Sequence, residues 1–544
     1  MSQRTLARRD ESVAREWLND AVIYQIYPQS FADSDGDGIG DLPGVIDRLD
    51  YLEWLGVNTI WFNPCFESPF ADAGYDVSDY LKVAARYGTN DDLERLVREA
   101  KQRGIRVLLD LVAGHTSVEH PWFQRELAAS GPDPAGDRYV WRHGAPAPPK
   151  NDIEMPGTPQ WVESPGPRPG WYLKNFYDDQ PALNFGWANV RSDEPWRDAV
   201  DDAGPIRNRE ALREIMAFWL DRGVAGFRID MAFSLVKDDD DLVETLQLWS
   251  ETKHWLDDHY PDAVFIPEGV EPRATHEPAF DADFFLAIFE PHAALFDNGS
   301  AGSLPWTSHN PCYFDDAGRG TVQPFLEAFE QAQEGRPDRR IIVGSADHDF
   351  GRLASDRRNG ASLESAFVFL LTWGSIPSIW YGDEIGMRYL PDAPDVEGAV
   401  CYPTYNRAGC RTPMQWDTSA NAGFSSAPAD QLYLPIDADP SRPDVASSRD
   451  DETSLLHLVR RVIQIRKETP SLHPGTGVEV IGDGYPLAYI RGGDHLVIVN
   501  PSSASSTVDL PQSDLPLELI SNDVRVADGV IHVGPRGYAI FRLG

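Results

Sequence analysis

The sequence predicts an α/β fold: a (β/α)8 TIM barrel with a subdomain inserted after the third strand and an antiparallel β-sandwich at the C-terminus. Three observations lead to this prediction. Short apolar runs alternate with amphipathic helical stretches over most of the 544 residues, which is typical of a parallel sheet covered by helices. One long stretch rich in Pro, Gly and Trp interrupts this alternation. Short alternating strands with turn signals then end the chain.

The barrel elements follow one another in regular order. The spacing of apolar residues predicts helices over 90–104, with Asn90 as N-cap and Gly104 as C-terminal stop, and over 208–223. The predicted barrel strands are all short apolar runs bounded by turn or helix signals. They cover 21–28, 58–64, 105–112, 224–230, 263–269, 340–349 and 374–384.

The predicted domain boundaries follow changes in this pattern. The barrel takes residues 1–115 and 206–469. The inserted domain takes 116–205, which is too long for an ordinary loop. The C-terminal domain takes 470–544, where the last helical pattern (453–469) gives way to short strands.

Charge and cysteine content limit the partners. The chain has 86 acidic and 48 basic residues, a net charge of −38, which argues against nucleic acid and anionic membranes as partners. Its four cysteines form no CxxC motif and are expected to be free, although Cys401 and Cys410 could bridge a loop in an exported protein. The N-terminus lacks an apolar signal core, and no apolar run could span a membrane. We therefore expect a cytoplasmic protein, monomeric or homo-oligomeric.

Polar residues follow the apolar strands at seven positions. Side chains at the C-terminal ends of barrel strands meet in one cleft, where catalytic groups of such barrels lie. One such residue alone is more often a helix cap or an ion-pair partner, but a coincidence on four strands indicates a functional site. The residues are Asp110, His115, Arg228, Asp230, Glu268, His348 and Asp349.

Carboxylates that share a cleft suggest acid–base chemistry. Like charges raise one pKa and can hold one acid protonated at neutral pH. Glycoside cleavage needs this arrangement: one carboxylate attacks, one acid protonates the leaving oxygen, and a neighbour stabilises the cationic transition state. Arg228 lies two residues before Asp230, so both side chains point to the same side of the strand. The charge on Arg228 would keep Asp230 ionised.

Five motifs resemble the sequence blocks of the α-amylase superfamily, glycoside hydrolase family 13. DLVAGH (110–115) resembles D-x-V-x-N-H, and GFRID (226–230) matches the block of the nucleophile. FIPEG (265–269) resembles the acid block, and ADHD (346–349) resembles the stabiliser block, usually N-H-D. QPALN (180–184) resembles the Q-P-D-L-N block of the inserted domain. The resemblance runs from about Ala21 to the C-terminus.

This resemblance implies roles for six residues. Asp230 would be the nucleophile, Glu268 the acid/base and Asp349 the transition-state stabiliser. Three further residues would hold the sugar that is cut from the chain. They are His115, Arg228 and His348.

Two further segments resemble the α-glucosidase and oligo-1,6-glucosidase branch of the family. These are DAGYD (72–76) and RTPMQW (411–416). In that branch the first aspartate pairs with the arginine, which implies that Asp72 and Arg411 grip the terminal glucose and that Tyr75 stacks on it. Such a pair would close the pocket beyond one sugar. A surface ion pair between Asp72 and Arg411 is the structural alternative.

The implied function is therefore a retaining exo-acting α-glucosidase that releases glucose from the non-reducing end of α-glucosides or short oligosaccharides. A transglucosylase or isomerase on the same scaffold, akin to trehalose synthase or sucrose isomerase, would use the same carboxylates but keep water from the intermediate. Four departures from the family pattern leave the linkage and this choice open: Gly114, Ala182, Met231 and Asp347. A non-catalytic transporter subunit is disfavoured because all three carboxylates are present and a membrane segment is not.

The segment FADSDGDGIGD (31–41) carries aspartates separated by glycines. It begins like the D-x-D-x-D-G calcium loop, but Gly44 stands where a complete EF-hand has its glutamate. The α-glucosidase branch often binds calcium in such a loop, which implies a structural Ca²⁺ next to the first barrel strand. Magnesium or a solvated turn without an ion are the alternatives. The expected ligands are Asp33, Asp35, Asp37, the backbone carbonyl of Ile39, and Asp41.

Overall fold

A computed structural model gives the fold of most of the chain. The residues it describes are 15–146, 160–269, 272–273, 276, 278–287, 289–297, 299–302, 311–355, 358, 360–402, 405–509 and 517–544.

Eight parallel strands form the predicted barrel. In chain order they are β1 (Ile23–Ile26), β2 (Thr59–Phe62), β3 (Arg106–Val112), β4 (Gly226–Asp230), β5 (Val264–Pro267), β6 (Asp283–Phe285), β7 (Ile341–Gly344) and β8 (Ile376–Trp380). Hydrogen bonds link them in the order β5-β4-β3-β2-β1-β8-β7-β6. The ends of this order meet where Asp281 N–H donates to the carbonyl of Phe265 at 2.9 Å. The barrel prediction is confirmed.

The barrel interior is a packed core. Large side chains from seven of the strands fill it, as expected for a barrel of this size. They are Ile23, Trp61, Leu108, Val264, Ile266, Phe284, Ile342 and Ile376. Because apolar side chains fill the barrel interior, the polar side chains predicted to form the site lie outside it, at the carboxyl ends of the strands.

Helices cover the outside of the barrel. The α-helices of the described residues are, in chain order, Pro28–Phe31, Leu42–Asp47, Leu49–Leu55, Asn90–Gln102, Pro121–Ala128, Ala203–Leu220, Val243–His259, Glu290–Phe296, Gln323–Gln333, Ala361–Thr372, Val445–Asp450 and Leu455–Glu468. Within the described ranges, every helix is too short or too polar to cross a membrane.

The N-cap of helix Asn90–Gln102 differs from the prediction. Thr89 is the cap, because its hydroxyl accepts from Asp92 N–H at 3.2 Å while the Asp92 carboxylate accepts from Thr89 N–H at 2.9 Å. Asn90 instead accepts a hydrogen bond from Val83 N–H. The second predicted helix begins at Ala203, five residues before the predicted start, with Pro205 in its first turn.

The stretch between β3 and β4 contains a small three-stranded antiparallel sheet. Its strands pair in the order Trp141–Arg142, Trp171–Lys174, Gln160–Glu163. The segment after this sheet returns to the barrel, where Leu183 N–H donates to the carbonyl of Gly114 at 3.0 Å. The insertion therefore lies against the carboxyl end of β3.

The C-terminal part is antiparallel, as predicted. Its strands are β9 (Val478–Asp483), β10 (Leu487–Arg491), β11 (His495–Val499), β12 (Ser506–Asp509), β13 (Leu517–Ala527) and β14 (Val530–Arg542). They join into one sheet because the long β14 pairs with β11, β12 and β13. One face packs on the barrel, where Tyr489 lies edge-on to Trp373 at 4.9 Å. The four cysteines are unpaired.

Candidate active site

The strand-end residues meet at the carboxyl rim of the barrel. In the register of β3 and β4, Asp110 lies opposite Arg228, and Val112 lies opposite Asp230. Glu268 follows β5, and its N–H donates to the carbonyl of Ile229 in β4 at 2.8 Å. The side chains of Asp110, Arg228, Asp230 and Glu268 thus lie together at the carboxyl ends of parallel strands, as the sequence predicts.

Arg228 is the centre of the charge cluster. Its Nη1 lies 2.8 Å from Asp110 Oδ1 and 3.0 Å from Asp230 Oδ1, and its Nη2 lies 2.9 Å from Glu268 Oε1. The guanidinium is 2% exposed. Burial acts to lower the pKa of Arg228, but Asp110 and Glu268 raise it well above its ordinary value. Arg228 is therefore a permanent cation that holds three carboxylates.

One positive charge does not neutralise three carboxylates. Burial raises the pKa of Asp230 well above its ordinary value, the charge of Glu268 raises it further, and Arg228 acts in the opposite direction. Burial likewise raises the pKa of Asp110 to about 6 against the effect of Arg228. The expected effect of Arg228 on Asp230 is thus present but smaller than that of burial. Asp230 and Asp110 therefore hold a proton more readily than an exposed aspartate does.

The residue after Asp230 orients Glu268. Met231 N–H donates to Glu268 Oε2 at 2.8 Å, while Glu268 Oε1 is held by Arg228. Met231 reaches this position with a φ of 43°, a left-handed conformation that is uncommon for a side chain of this size. Both oxygens of Glu268 are therefore fixed beside Asp230.

Tyr75 and His348 stack on each other in the same pocket. Their rings are 5.4 Å apart with an interplanar angle of 15°, and Tyr75 Oη lies 2.8 Å from His348 Nε2. Gln25 donates an amide hydrogen to His348 Nδ1 at 3.2 Å, so the ring proton sits on Nε2. Burial lowers the pKa of His348 to about 3, which keeps it neutral. Tyr75 in turn donates to Asp110 at 3.1 Å, and its ring covers one face of the His348 ring.

Two arginines hold Asp349. Arg407 Nη1 and Arg411 Nη2 lie 2.8 and 2.9 Å from the same oxygen, Asp349 Oδ1. Burial acts to raise the pKa of Asp349, but His348, Arg407 and Arg411 hold it well below its usual range. Asp349 is therefore ionised at every working pH.

The partner of Asp72 differs from the prediction. Among the described residues, the arginine closest to Asp72 is Arg407, whose Nη2 lies 3.6 Å from Asp72 Oδ1. Arg411 instead contacts Asp349. It is held there because its Nε donates to the carbonyl of His348 at 2.7 Å. Arg407 was missed in the sequence, although its position four residues before Arg411 is the spacing of one helical turn.

A second missed residue lies in the inserted domain. Gln180, the first residue of QPALN, donates to Asp72 Oδ2 at 2.8 Å. Burial raises the pKa of Asp72 to about 6, while Arg407 and Gln180 act to lower it. The motif was recognised in the sequence, but no role followed from it for this glutamine.

Asp347, one of the four departures, adds a carboxylate to the site. Its Oδ1 accepts a hydrogen bond from Asp349 N–H at 2.8 Å. Burial raises the pKa of Asp347 to about 7, and the charge of Asp349 raises it as well. Asp347 lines the same pocket as Trp61, Arg228 and Glu268.

His115 is bonded to protein at both ring nitrogens. Nε2 lies 3.1 Å from the carbonyl of Tyr75, and Nδ1 accepts from the amide of Asn175 at 3.1 Å. Burial lowers the pKa of His115 to about 3, so the ring is neutral. Both ring nitrogens are thus hydrogen-bonded to protein groups. Asn175 is a third residue that sequence analysis missed.

The aspartate loop brings three carboxylates together. One oxygen from each of Asp33, Asp35 and Asp37 lies within 4.8 Å of the others. N–H groups of Gly36 and Gly38 donate to Asp33 at 2.7 and 2.8 Å and wrap the backbone around it. Burial raises the pKa of Asp37, and the neighbouring carboxylates add to this effect. A set of hard oxygen donors that repel one another fits a divalent cation such as Ca²⁺.

Asp41 lies apart from this cluster. Its Oδ1 accepts from Gly44 N–H at 2.6 Å and caps helix Leu42–Asp47. Its Oδ2 accepts two hydrogen bonds from Ser34 at 2.9 Å. The cluster is instead fixed to a distant segment, since Asp33 accepts from the hydroxyl of Ser425 at 2.5 Å.

Known proteins resemble this chain over almost its full length. Residues 25–475 match the family described as "Alpha amylase, catalytic domain". The probable alpha-glucosidase of Rhizobium meliloti (strain 1021) is 32% identical over 535 residues, covering 93% of each chain. The trehalose synthase of Pimelobacter sp. (strain R48) is 31% identical, covering 97% of this chain and 96% of that one. The crystal structure of the trehalulose synthase MutB from Pseudomonas mesoacidophila MX-45 superposes with a TM-score of 0.78 at 27% identity, covering 97% of this chain and 100% of that one. The chain therefore belongs to the α-amylase family, glycoside hydrolase family 13.

Proposed function

We propose that this protein is a retaining exo-acting α-glucosidase. The observation that carries the proposal is the guanidinium of Arg228, which holds Asp230 and Glu268 side by side at 3.0 and 2.9 Å. Retaining glycosidases need two carboxyl groups only about 5 Å apart, one to attack and one to protonate. A shared cation favours this short spacing over the wider one of inverting enzymes.

In the first step Asp230 attacks the anomeric carbon of the terminal glucose. Glu268, acting as the acid, gives its carboxyl proton to the glycosidic oxygen, the bond to the leaving group breaks, and a glucosyl ester forms on Asp230. Glu268 is suited to this task because Met231 N–H and Arg228 fix both of its oxygens. Loss of its proton leaves it as a carboxylate, ready to act as a base.

In the second step water replaces the leaving group. Glu268 takes a proton from water, the hydroxide attacks the anomeric carbon, and Asp230 leaves as a carboxylate. Two inversions give net retention. Asp349, ionised by its two arginines, faces the sugar as a fixed negative charge that stabilises the cationic transition state in both steps.

Exo action rests on the charges at the far side of the pocket. Asp72 and Asp349 are joined through Arg407, and Gln180 holds Asp72 from the inserted domain. We expect these polar groups to bind the hydroxyls of a terminal glucose and to close the pocket beyond one sugar. Asp72, Tyr75, His115, Arg228, His348 and Arg411 remain the proposed binding residues, to which Arg407 is added.

A transglucosylase or isomerase is the second candidate. It is favoured by the similarity to a protein named trehalose synthase and to a solved trehalulose synthase. The first step would be the same, but a sugar hydroxyl would replace water in the second. The two candidates therefore differ in their products and not in their catalytic carboxylates.

Product analysis tests both candidates at once. The purified protein is incubated with maltose, isomaltose, nigerose, kojibiose, trehalose and sucrose at low and high concentration, and all sugars are resolved by chromatography. Free glucose released first as the α-anomer, seen by NMR, supports the hydrolase. New disaccharides that dominate at every concentration support the isomerase. No turnover of any α-glucoside would overturn both.

We further propose that the aspartate loop binds a structural Ca²⁺. Asp33, Asp35 and Asp37 would supply carboxylate oxygens, and Ile39 its backbone carbonyl. Asp41 would have to give up Ser34 to take part. The ion would tie the first barrel loop to the segment around Ser425, away from the reacting atoms.

A further inference from the structure

Gly114 leaves a space that another side chain fills. A Cβ at position 114 would lie 2.8 Å from Asn175 Nδ2 and 2.8 Å from Ser234 Oγ, too close for an ordinary contact. Asn175, which follows strand Trp171–Lys174 of the insertion, is 5% exposed. The departure of Gly114 from the family block thus makes room for an asparagine from another part of the chain.

The amide of Asn175 has a fixed orientation. Lys237 Nζ donates to Asn175 Oδ1 at 3.2 Å, and the ammonium form of Lys237 can only donate, so it faces the amide oxygen and not the NH₂ group. The NH₂ group therefore faces the other way, where it donates to His115 Nδ1 at 3.1 Å and to Ser234 Oγ at 3.2 Å. Lys237 also donates to the carbonyl of Ser234.

This orientation sets the tautomer of His115. Because Nδ1 accepts from Asn175, the ring proton is on Nε2, where it donates to the carbonyl of Tyr75 at 3.1 Å. Tyr75 carries the ring that stacks on His348 and the hydroxyl that bonds to Asp110. A chain of hydrogen bonds thus runs from Lys237 to the floor of the pocket.

Lys237 has an unusual environment. It is 8% exposed, and within the described part of the chain no carboxylate lies at ion-pair distance from its Nζ. Burial lowers its pKa to about 7. Its charge acts to lower the pKa of His115, so a neutral ring is favoured next to it.

We infer that Asn175 is a positioning residue, which acts through His115 to hold Tyr75 and His348 in the arrangement that binds the terminal sugar. Lys237 orients Asn175, and Gly114 is required to admit it. The effect on turnover rests on the proposed function. The placement of Asn175 does not, so the two can be tested separately.

The decisive variant is Asn175→Asp. It has the same shape and can still accept from Lys237, but a carboxylate cannot donate to His115 Nδ1. The new negative charge raises the pKa of His115, and the doubly protonated ring can donate to both the new carboxylate and the Tyr75 carbonyl. The charged and titratable groups around His115 are Lys237, Tyr75 and Tyr80, whose hydroxyl donates to the His115 carbonyl.

We expect Asn175→Asp to lower kcat/KM for p-nitrophenyl α-glucoside about 10-fold at pH 8. The loss should shrink towards pH 5, where His115 gains its proton. Asn175→Leu should lose a similar factor at every pH. Ser234→Ala, which removes one further acceptor of the Asn175 NH₂ group and leaves His115 bonded, is the matched control and should change kcat/KM less than 3-fold.

Thermal stability tests the placement without any substrate. Gly114→Ala should lower the melting temperature in the wild type, and this effect should shrink when Asn175→Ala is present, because the contact with Asn175 Nδ2 is then removed and only that with Ser234 Oγ remains. A crystal structure of Asn175→Leu should show the His115 ring turned away from the Tyr75 carbonyl. Wild-type kcat/KM in both Asn175→Asp and Asn175→Leu across the pH range would overturn the inference. If the wild-type protein turns over no α-glucoside, the proposed function is contradicted. The thermal and crystallographic measurements would then still test the placement of Asn175.

Discussion

Two regions of this molecule crowd carboxylates together, and they differ in how the charge is balanced. In the pocket, Asp110, Asp230 and Glu268 share Arg228, and Asp349 has two arginines of its own. In the loop, Asp33, Asp35 and Asp37 have no Arg or Lys partner within the described residues. The carboxylates of the pocket are paired with arginine side chains, whereas those of the loop have backbone N–H groups and the hydroxyl of Ser425 as donors. The pocket is therefore expected to form without any ion, and the loop is expected to depend on one.

The largest effect is expected from the nucleophile. Asp230→Asn should lower turnover of α-glucosides by at least about 10⁴-fold, because an amide cannot form the glucosyl ester. The fold should survive, since Arg228 keeps Asp110 and Glu268 as partners. Steady-state kinetics with a melting curve on the same sample measure both. Turnover close to wild type would end the proposed mechanism.

The next largest effect is expected from the cation of the pocket that sequence analysis missed. Arg407→Ala should lower kcat/KM about 100-fold, because Asp72 and Asp349 lose a shared buried partner. The pKa of Asp349 should rise, so activity should fail at a higher pH on the acid side than in the wild type. Arg388→Ala, on the same segment but paired with half-buried Asp437 and exposed Asp439, is the control. Equal losses in the two variants would contradict the role of Arg407.

Calcium should affect the other region only. Free Ca²⁺ at 100 times its Kd should stabilise the folded state by about 2.7 kcal/mol, so a chelator should lower the melting temperature. Asp35→Asn should abolish this response, whereas Asp41→Ala should weaken the helix cap and keep the response. A melting temperature that changes with neither chelator nor added Ca²⁺ would contradict the proposal that the loop binds Ca²⁺.

The smallest effect is expected from Asp347. Its pKa of about 7 lies above the value of an unfolded aspartate, so the folded state binds the extra proton and loses stability as pH rises through 7. Asp347→Asn should therefore be more stable than wild type by about 1 kcal/mol at pH 8, with little difference at pH 4. Exposed Asp430→Asn is the control. A stability difference that does not depend on pH would show that Asp347 is not held as an acid.

The sequence predicts those parts of the fold and site that depend on local order. Alternating strands and helices suffice for the barrel, and the spacing of Arg228 and Asp230 places both on one face of β4. Long loops carry no such information. Whether Arg407 or Arg411 reaches Asp72 depends on where Arg411 finds the carbonyl of His348, and this is a contact between distant segments.

Sequence pattern also leaves the functions of shared polar groups undecided. Asp41 fits the spacing of a metal ligand and of a helix cap equally well, and only the position of Gly44 distinguishes them. Asn175 has no motif of its own, because its position follows from the space at Gly114. The roles of such residues can be identified from the folded structure but not from the sequence pattern.

The insertion between β3 and β4 has a consequence for how the protein matures. Gln180 reaches Asp72, and Asn175 reaches His115, so the barrel by itself lacks two supports of its pocket. A refolding chain can therefore regain its barrel and remain inactive until the insertion docks. Catalytic activity should be the last property to return after denaturation. The delay between recovery of the barrel and recovery of activity measures how long the insertion takes to dock on the barrel.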